Sequence, residues 1–306
     1  MAFVNGHALI VAVANYPSFP RLPLAVLNDG KSIYKLLTNP EKCGYPDQNV
    51  KLFLDQEATQ NNIINEFNKL VSSTTKEDTV LIYFSGHGGR FSSGSLQGNY
   101  LLPFDANPDA ILETTINGGE LTQIFRRIVT QKLLVIFDCC HSGGTGEPKS
   151  TKMLITGFKS GFSDKYYDAL KQGSGRAIIA SSLSDEMSLV LPGMENSLFT
   201  HYLLRGLGGE AFNHEDGVIR VLDLFDFLSK SVPNHDQRQH PFFKAEIRDN
   251  FPISLYNGGN ASSADTKTRA GFIQPSIKYQ AGRDINAPEG TINEFNVTNQ
   301  SDTKDQ

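Results

Sequence analysis

The sequence predicts an α/β fold, a mostly parallel β-sheet sandwiched between helices and followed by a flexible C-terminal tail. Three observations predict it. Apolar runs of strand length alternate with segments whose apolar residues recur at helical spacing, the pattern of a sheet covered on both faces. A hydrophobic content of 39% over 306 residues supports a sizeable core. From about Asn257 the composition shifts to Gly, Asn, Ser, Thr and Asp, which cannot bury a core of their own.

The elements follow in order. "HALIVAVA" (7–14) reads as the first strand. Val26, Gly30, Ile33 and Leu37 share one helical face, and Asn39 with Pro40 ends that helix. "VKLFL" (50–54) is a strand, and Ile63, Phe67, Leu70 and Val71 mark a second helix. "TVLIYF" (79–84) is a central strand, Leu121, Ile124, Phe125 and Ile128 a third helix, and "KLLVIF" (132–137) the next buried strand. The polar, Gly- and Lys-rich stretch 143–175 reads as a long loop with one short helical piece, and loops of that length are usually functional. "RAIIAS" (176–181) resumes the sheet, helices around 198–203 and 221–228 cover it, and "FFKAEI" (242–247) is its last strand.

Composition excludes several functions. The net charge is −5 with no basic stripe to follow phosphates, so nucleic acid is not expected as a partner. No apolar run approaches the roughly 20 residues of a spanning helix, and "MAFVNGH" lacks a signal-peptide pattern, so no membrane role and a cytoplasmic location are expected. Only Cys43, Cys139 and Cys140 carry thiols, too few for a disulfide framework, and no paired Cys/His spacing suits zinc.

In an open α/β sheet, reactive groups collect beyond the carboxyl ends of the strands. "TVLIYF" runs at once into "SGHGG", carrying His87 among glycines that free the loop from steric limits, and "KLLVIF" runs into "DCCHSGG". Neighbouring parallel strands would bring both together as a Cys/His dyad, in which the imidazole takes the thiol proton and the thiolate attacks a carbonyl. Main-chain N–H groups of the Gly-rich turns, at Gly88 and at the nucleophile itself, would bind the oxyanion.

"YFSGHGG" and "FDCCHSGG" resemble the His and Cys signatures of the caspase-like superfamily, and the DxCHSG form is similar to metacaspases and prokaryotic relatives. His87 precedes Cys140 by about 50 residues, the separation typical of caspases. The likeness spans residues 6–256 and includes "IIASSLSDE" and "NSLFTHYLLRGLGG", which resemble the small-subunit half. It implies a caspase-like fold over 1–256, with a large-subunit-like segment over 1–142, a linker loop over 143–175 and a small-subunit-like segment over 176–256. It also selects Cys140, directly before His-Ser-Gly, as the nucleophile, and strand alternation agrees in turning only one of the two thiols to the cleft. Cys139 is then packing and His141 structural. The resemblance further implies that Asp29, Ser85 and Asp138 line a pocket for Arg or Lys at the cleaved position. Two carboxylates there would favour a basic side chain and disfavour an acidic one.

The implied activity is cysteine endopeptidase cleavage after Arg or Lys. The alternatives are a catalytically idle binding or scaffold module of the same fold, and a phosphate-cradling loop at "SGHGG" that no P-loop or GxGxxG pattern supports. With basic specificity, Lys149, Lys152, Lys159, Lys165, Lys171 and Arg176 become candidate self-cleavage sites. No cofactor is expected to be required. Calcium stands as an alternative, with Asp185 and Glu186 as candidate acids and no EF-hand spacing. Protein or peptide substrates are the expected partners. The tail, 257–306, either recruits a partner or lies in the chain's own cleft through Lys278 or Arg283. His201, His214, His235 and His240 read as surface or packing residues.

Overall fold

The computed structural model describes residues 3–139, 157–183, 186–211 and 216–256. The chain separates into two units, 1–260 and 261–306, and the described residues all fall in the first. The strands are β1 (Gly6–Ala12), β2 (Val50–Leu54), β3 (Thr79–Gly86), β4 (Gly88–Phe91), β5 (Gly98–Leu101), β6 (Ile116–Asn117), β7 (Leu133–Cys139), β8 (Phe158–Ser160), β9 (Arg176–Ala180), β10 (Val218–Arg220), β11 (Phe242–Glu246) and β12 (Pro252–Leu255). The helices are α1 (Ala25–Thr38), α2 (Gln60–Ser73), α3 (Ile111–Thr114), α4 (Gly118–Arg127), α5 (Asp164–Leu170), α6 (Leu198–Arg205) and α7 (Val221–His235).

Six strands form the central sheet in the order β11-β9-β7-β3-β1-β2. Its pairs are parallel except at β11, which runs antiparallel to β9. Side chains alternate across it. Val80, Ile82 and Phe84 of β3 and Leu133, Val135, Phe137 and Cys139 of β7 pack with α2, α4 and α5. Leu81 and Tyr83 of β3 and Leu134 and Ile136 of β7 pack with α1, α6 and α7. Both layers are apolar, which is why these strands read as continuous hydrophobic runs.

Among the described residues, four α-helices start at a capping side chain. Thr59, Asn117, Ser163 and Ser197 each accept a hydrogen bond from the amide three residues on, in Asn62, Glu120, Tyr166 and Thr200. Each such cap contributes about 1 kcal/mol. No helix among the described residues is long and apolar enough to cross a membrane.

The structure differs from expectation in several places, among them an unexpected antiparallel pair of β10 with β12. The first strand stops at Ala12 instead of residue 14, whereas β3 runs on through Ser85 and Gly86 and β7 through Asp138 and Cys139. A second, antiparallel sheet, β6-β5-β4-β8, stands beside the first, and its β8 lies inside the stretch expected to be loop. Finally, the glycines around His87 supply closeness, not conformational freedom, since none has a positive φ. A Cβ on Gly86 would lie 2.6 Å from the Tyr16 hydroxyl, and one on Gly88 would lie 2.8 Å from Cys139 Sγ.

The Gly88 contact is testable. Gly88→Ala should destabilise the protein by about 1–3 kcal/mol through overpacking. Adding Cys139→Ala, which removes the opposing sulfur, should recover some of that loss. Denaturant unfolding of both single variants and the double variant measures the coupling, and additivity within about 0.5 kcal/mol would contradict the contact.

Candidate active site

The site is built at the carboxyl ends of β3 and β7. Their parallel register sets Ser85 opposite Asp138 and Gly86 opposite Cys139. His87 follows as the single residue between β3 and β4, and it is 1% exposed. Its Nε2 lies 2.7 Å from the carbonyl oxygen of Pro20. A carbonyl can only accept, so Nε2 carries the proton and the neutral ring keeps its lone pair on Nδ1. Burial lowers the His87 pKa, partly offset by the Pro20 hydrogen bond, which favours this neutral, proton-accepting form. The rings of Tyr16 and Phe19 stand 4.7 and 6.3 Å from the imidazole.

Cys139 points to the face opposite Asp138, among Phe137, Phe162 and Tyr167. Burial, and then the charge of Asp138, push its thiol well above the usual range, so it stays protonated. That suits packing and not attack. Cys140 lies outside the described residues, as do His141, Lys149, Lys152, Asp185, His214 and the whole tail, including Lys278 and Arg283.

On the α1/α6 side, the structure brings Asp29, Ser85 and Asp138 together. Asp138, at the end of β7, is 0% exposed. It accepts from Ser188 Oγ at 2.6 Å on Oδ1, and from Ser197 Oγ at 2.7 Å and Thr200 Oγ1 at 3.0 Å on Oδ2. Because Thr200 spends its proton on Asp138, the Tyr83 hydroxyl 2.7 Å away donates to Thr200. Asp29, on the inner face of α1, is no helix cap. Its Oδ1 accepts from Asn196 Nδ2 at 2.9 Å and from the Ser197 amide at 3.0 Å. Asp29 Oδ2 and Ser85 Oγ are buried with no hydrogen-bond partner among the described residues. Burial first, then repulsion from Asp138, raise the Asp29 carboxyl well above the usual carboxylate range.

Ser188, Asn196, Ser197 and Thr200 were not singled out from the sequence. Ser197 carried one readable signal, a serine immediately before an apolar helical run. Its cap bond to the Thr200 amide uses its oxygen as acceptor, which leaves its proton for Asp138.

Other candidates fall into structural roles. Arg176 is buried at the start of β9, its guanidinium on the carbonyls of Phe125 and Gln172, so it is a strand anchor and not an accessible cleavage site. Lys165 lies within α5 and Lys171 caps its end, 3.4 Å from Asp168, so cutting there needs local opening. Lys159 is exposed on β8, opposite Arg90. Glu186 is engaged by the His240 ring and amide, each at 2.7 Å, and no acidic or His/Cys cluster that could hold a metal occurs among the described residues. His235 Nδ1 meets the Tyr202 hydroxyl at 2.9 Å, and the His201 ring packs edge-on against Tyr202.

Comparison with known proteins agrees with this architecture. A family model described as the caspase domain matches residues 5–252. Metacaspase-1 of Saccharomyces cerevisiae is 28% identical over 212 residues, 62% of this chain and 47% of that protein. Metacaspase-1B of Aspergillus terreus is 28% identical over 147 residues, 44% of this chain and 38% of that protein. The chain thus spans less than half the length of these relatives. A solved structure of a Geobacter sulfurreducens protein superposes with a TM-score of 0.55 at 16% identity, covering 82% of this chain and 99% of that one, which is a likeness of fold.

The acid pair makes a stability prediction. Asp29 binds its proton more tightly folded than unfolded, where its value is 3.8. Stability therefore falls as pH rises from there through the raised folded value, and the full penalty stands above it. Asn cannot ionise, so the Tm of Asp29→Asn relative to the wild type should climb as pH rises above about 4. A difference that stays flat or shrinks would contradict the assignment.

Proposed function

The chain belongs to the caspase domain family, and from that premise we propose that it is a cysteine endopeptidase of the metacaspase kind, cleaving protein or peptide substrates after Arg or Lys. The observation that carries this reading is a buried, Nε2-protonated His87 at the end of β3, beside the strand whose sequence runs on into Cys140. In the proposed reaction, His87 Nδ1 accepts the Cys140 thiol proton and the sulfur attacks the substrate carbonyl. The main-chain N–H groups of Gly88 and Cys140 hold the oxyanion, and His87 returns the proton to the leaving amine. Water then releases the acyl group by the reverse sequence. The chemistry needs only the thiol, the imidazole and two amides, so no cofactor takes part.

The basic preference rests on the acid well. Asp138 already has hydroxyl donors on both oxygens, whereas Asp29 Oδ2 and Ser85 Oγ stand without partners among the described residues. A guanidinium or ammonium entering there satisfies Asp29 and offsets its repulsion from Asp138. An acidic side chain would add a further negative charge beside Asp138. Self-cleavage, on this reading, falls at Lys159, exposed on β8, or at Lys149 or Lys152.

The test is a set of fluorogenic peptides that differ only at the cleaved residue, with and without calcium. Arg and Lys substrates should turn over at least about a hundredfold faster than the Asp substrate, a ratio equivalent to about 2.7 kcal/mol. Cys139→Ala should keep activity and Cys140→Ala should abolish it. Full activity in Cys140→Ala, or preference for Asp, would overturn the reading, and activity found only with calcium would overturn the metal-free scheme.

A further inference from the structure

The loop from residue 13 to residue 22, between β1 and α1, reaches His87 in three ways. Pro20 supplies the carbonyl that fixes the imidazole tautomer, and Tyr16 and Phe19 supply aromatic walls. The third contact is a closed ring of hydrogen bonds. The His87 amide donates to the Tyr16 hydroxyl at 2.8 Å, that hydroxyl donates to the Leu102 carbonyl at 2.9 Å, and the Leu102 amide donates to the His87 carbonyl at 3.1 Å. Both main-chain polar groups of His87 are thereby held. The glycine at 86 lets the hydroxyl come this close, since a Cβ there would lie 2.6 Å from it.

The loop is itself pinned from below. Asp55, just after β2, accepts from the Ala14 amide at 2.9 Å and from the Asn15 amide and side-chain amide at 3.0 and 2.7 Å. Asp55 has a φ of 41°, the one positive value at a non-glycine among the described residues. Such a conformation persists only where its surroundings over-determine it. Val13 also donates to the Ser85 carbonyl at 2.9 Å, and Leu22 to the Ala14 carbonyl at 2.9 Å.

We propose that Tyr16 is a positioning residue for His87, its hydroxyl closing the main-chain ring that aims the imidazole, with Asp55 and Asn15 fixing the loop that carries it. The proposal rests on the peptidase reading for its kinetic effect but not for its structural one. Tyr16→Phe keeps the ring wall and deletes only the oxygen, leaving the His87 amide and the Leu102 carbonyl without that partner. The main chain at His87 is then free to shift, and displacing a catalytic group by about 1 Å costs up to about a hundredfold in rate.

The experiment compares wild type, Tyr16→Phe and Tyr34→Phe in the full chain, by nitrogen-15 spectra of labelled histidine and by turnover of an Arg peptide. Tyr34, whose hydroxyl bonds Asp47 far along α1, is the control and should match wild type in both readouts. Wild type should show His87 as a single Nε2–H tautomer. Tyr16→Phe should show mixed tautomers, with kcat lowered about ten- to a hundredfold and KM within about twofold. A wild-type tautomer signature in Tyr16→Phe would overturn the proposal, and so would a change confined to KM. Should Tyr16→Phe fail to fold, Asn15→Ala, which removes the side-chain amide bond to Asp55 and keeps the hydroxyl, should shift the His87 signals in the same direction, and unchanged signals would overturn it. Should wild type cleave nothing, the peptidase reading falls, while the tautomer spectra still decide the role of Tyr16.

Discussion

The parallel pairing of β3 with β7 is the constraint on which the site depends. One register sets Ser85 against Asp138 and Gly86 against Cys139, and the two-residue period of the strands sorts these pairs to opposite faces. The carboxyl of Asp138 then meets the hydroxyls at the start of α6, and the thiol of Cys139 meets the aromatic layer of Phe162 and Tyr167. A slip of one residue would exchange them, burying a carboxyl among phenyl rings without a donor. Each large side chain in these layers contributes about 1.5–3 kcal/mol by burial, but both faces of β7 are apolar from Leu133 to Phe137, so it is Asp138 that distinguishes one register from the next.

Upon that register the fold places a local electrostatic conflict. Asp29 and Asp138 repel one another in a buried space, and the groups bonded to them are hydroxyls and amides in place of a cation. Neutral donors make the burial of Asp138 tolerable, with Ser197 serving both acids and the cap of α6 at once. They leave Asp29 half-satisfied. Under the proposed basic specificity, a cation entering there would relieve that conflict. His87 shows the opposite economy, since the Pro20 carbonyl holds one tautomer and the bonds to Tyr16 and Leu102 hold its main chain.

The main sheet was legible because its strands are buried on both faces and therefore read as unbroken apolar runs between helical periods. The second sheet was not, because "GGRF" and "GNYL" are short, Gly-rich and half polar, and β8 lies in a stretch whose composition reads as loop. His87, Asp29 and Asp138 could be singled out from residue type and position after a strand. Their partners could not, because Ser188, Ser197 and Thr200 are common residues that matter only through contacts with Asp138, fifty or more positions away. Tyr16 was hidden for the same reason, and the glycines were misread because closeness and flexibility ask for the same residue type.

The central claim is that the acid well takes a basic side chain, whose positive charge favours the ionised form of Asp29. Calorimetric titration of Cys140→Ala with an uncleaved Arg peptide, in buffers of different ionisation heat and across the pH range in which Asp29 titrates, measures that linkage directly. The account predicts net proton release on binding, abolished in a protein that also carries Asp29→Asn. Binding with no proton release, or equal affinity for the matching Asp peptide, would contradict it.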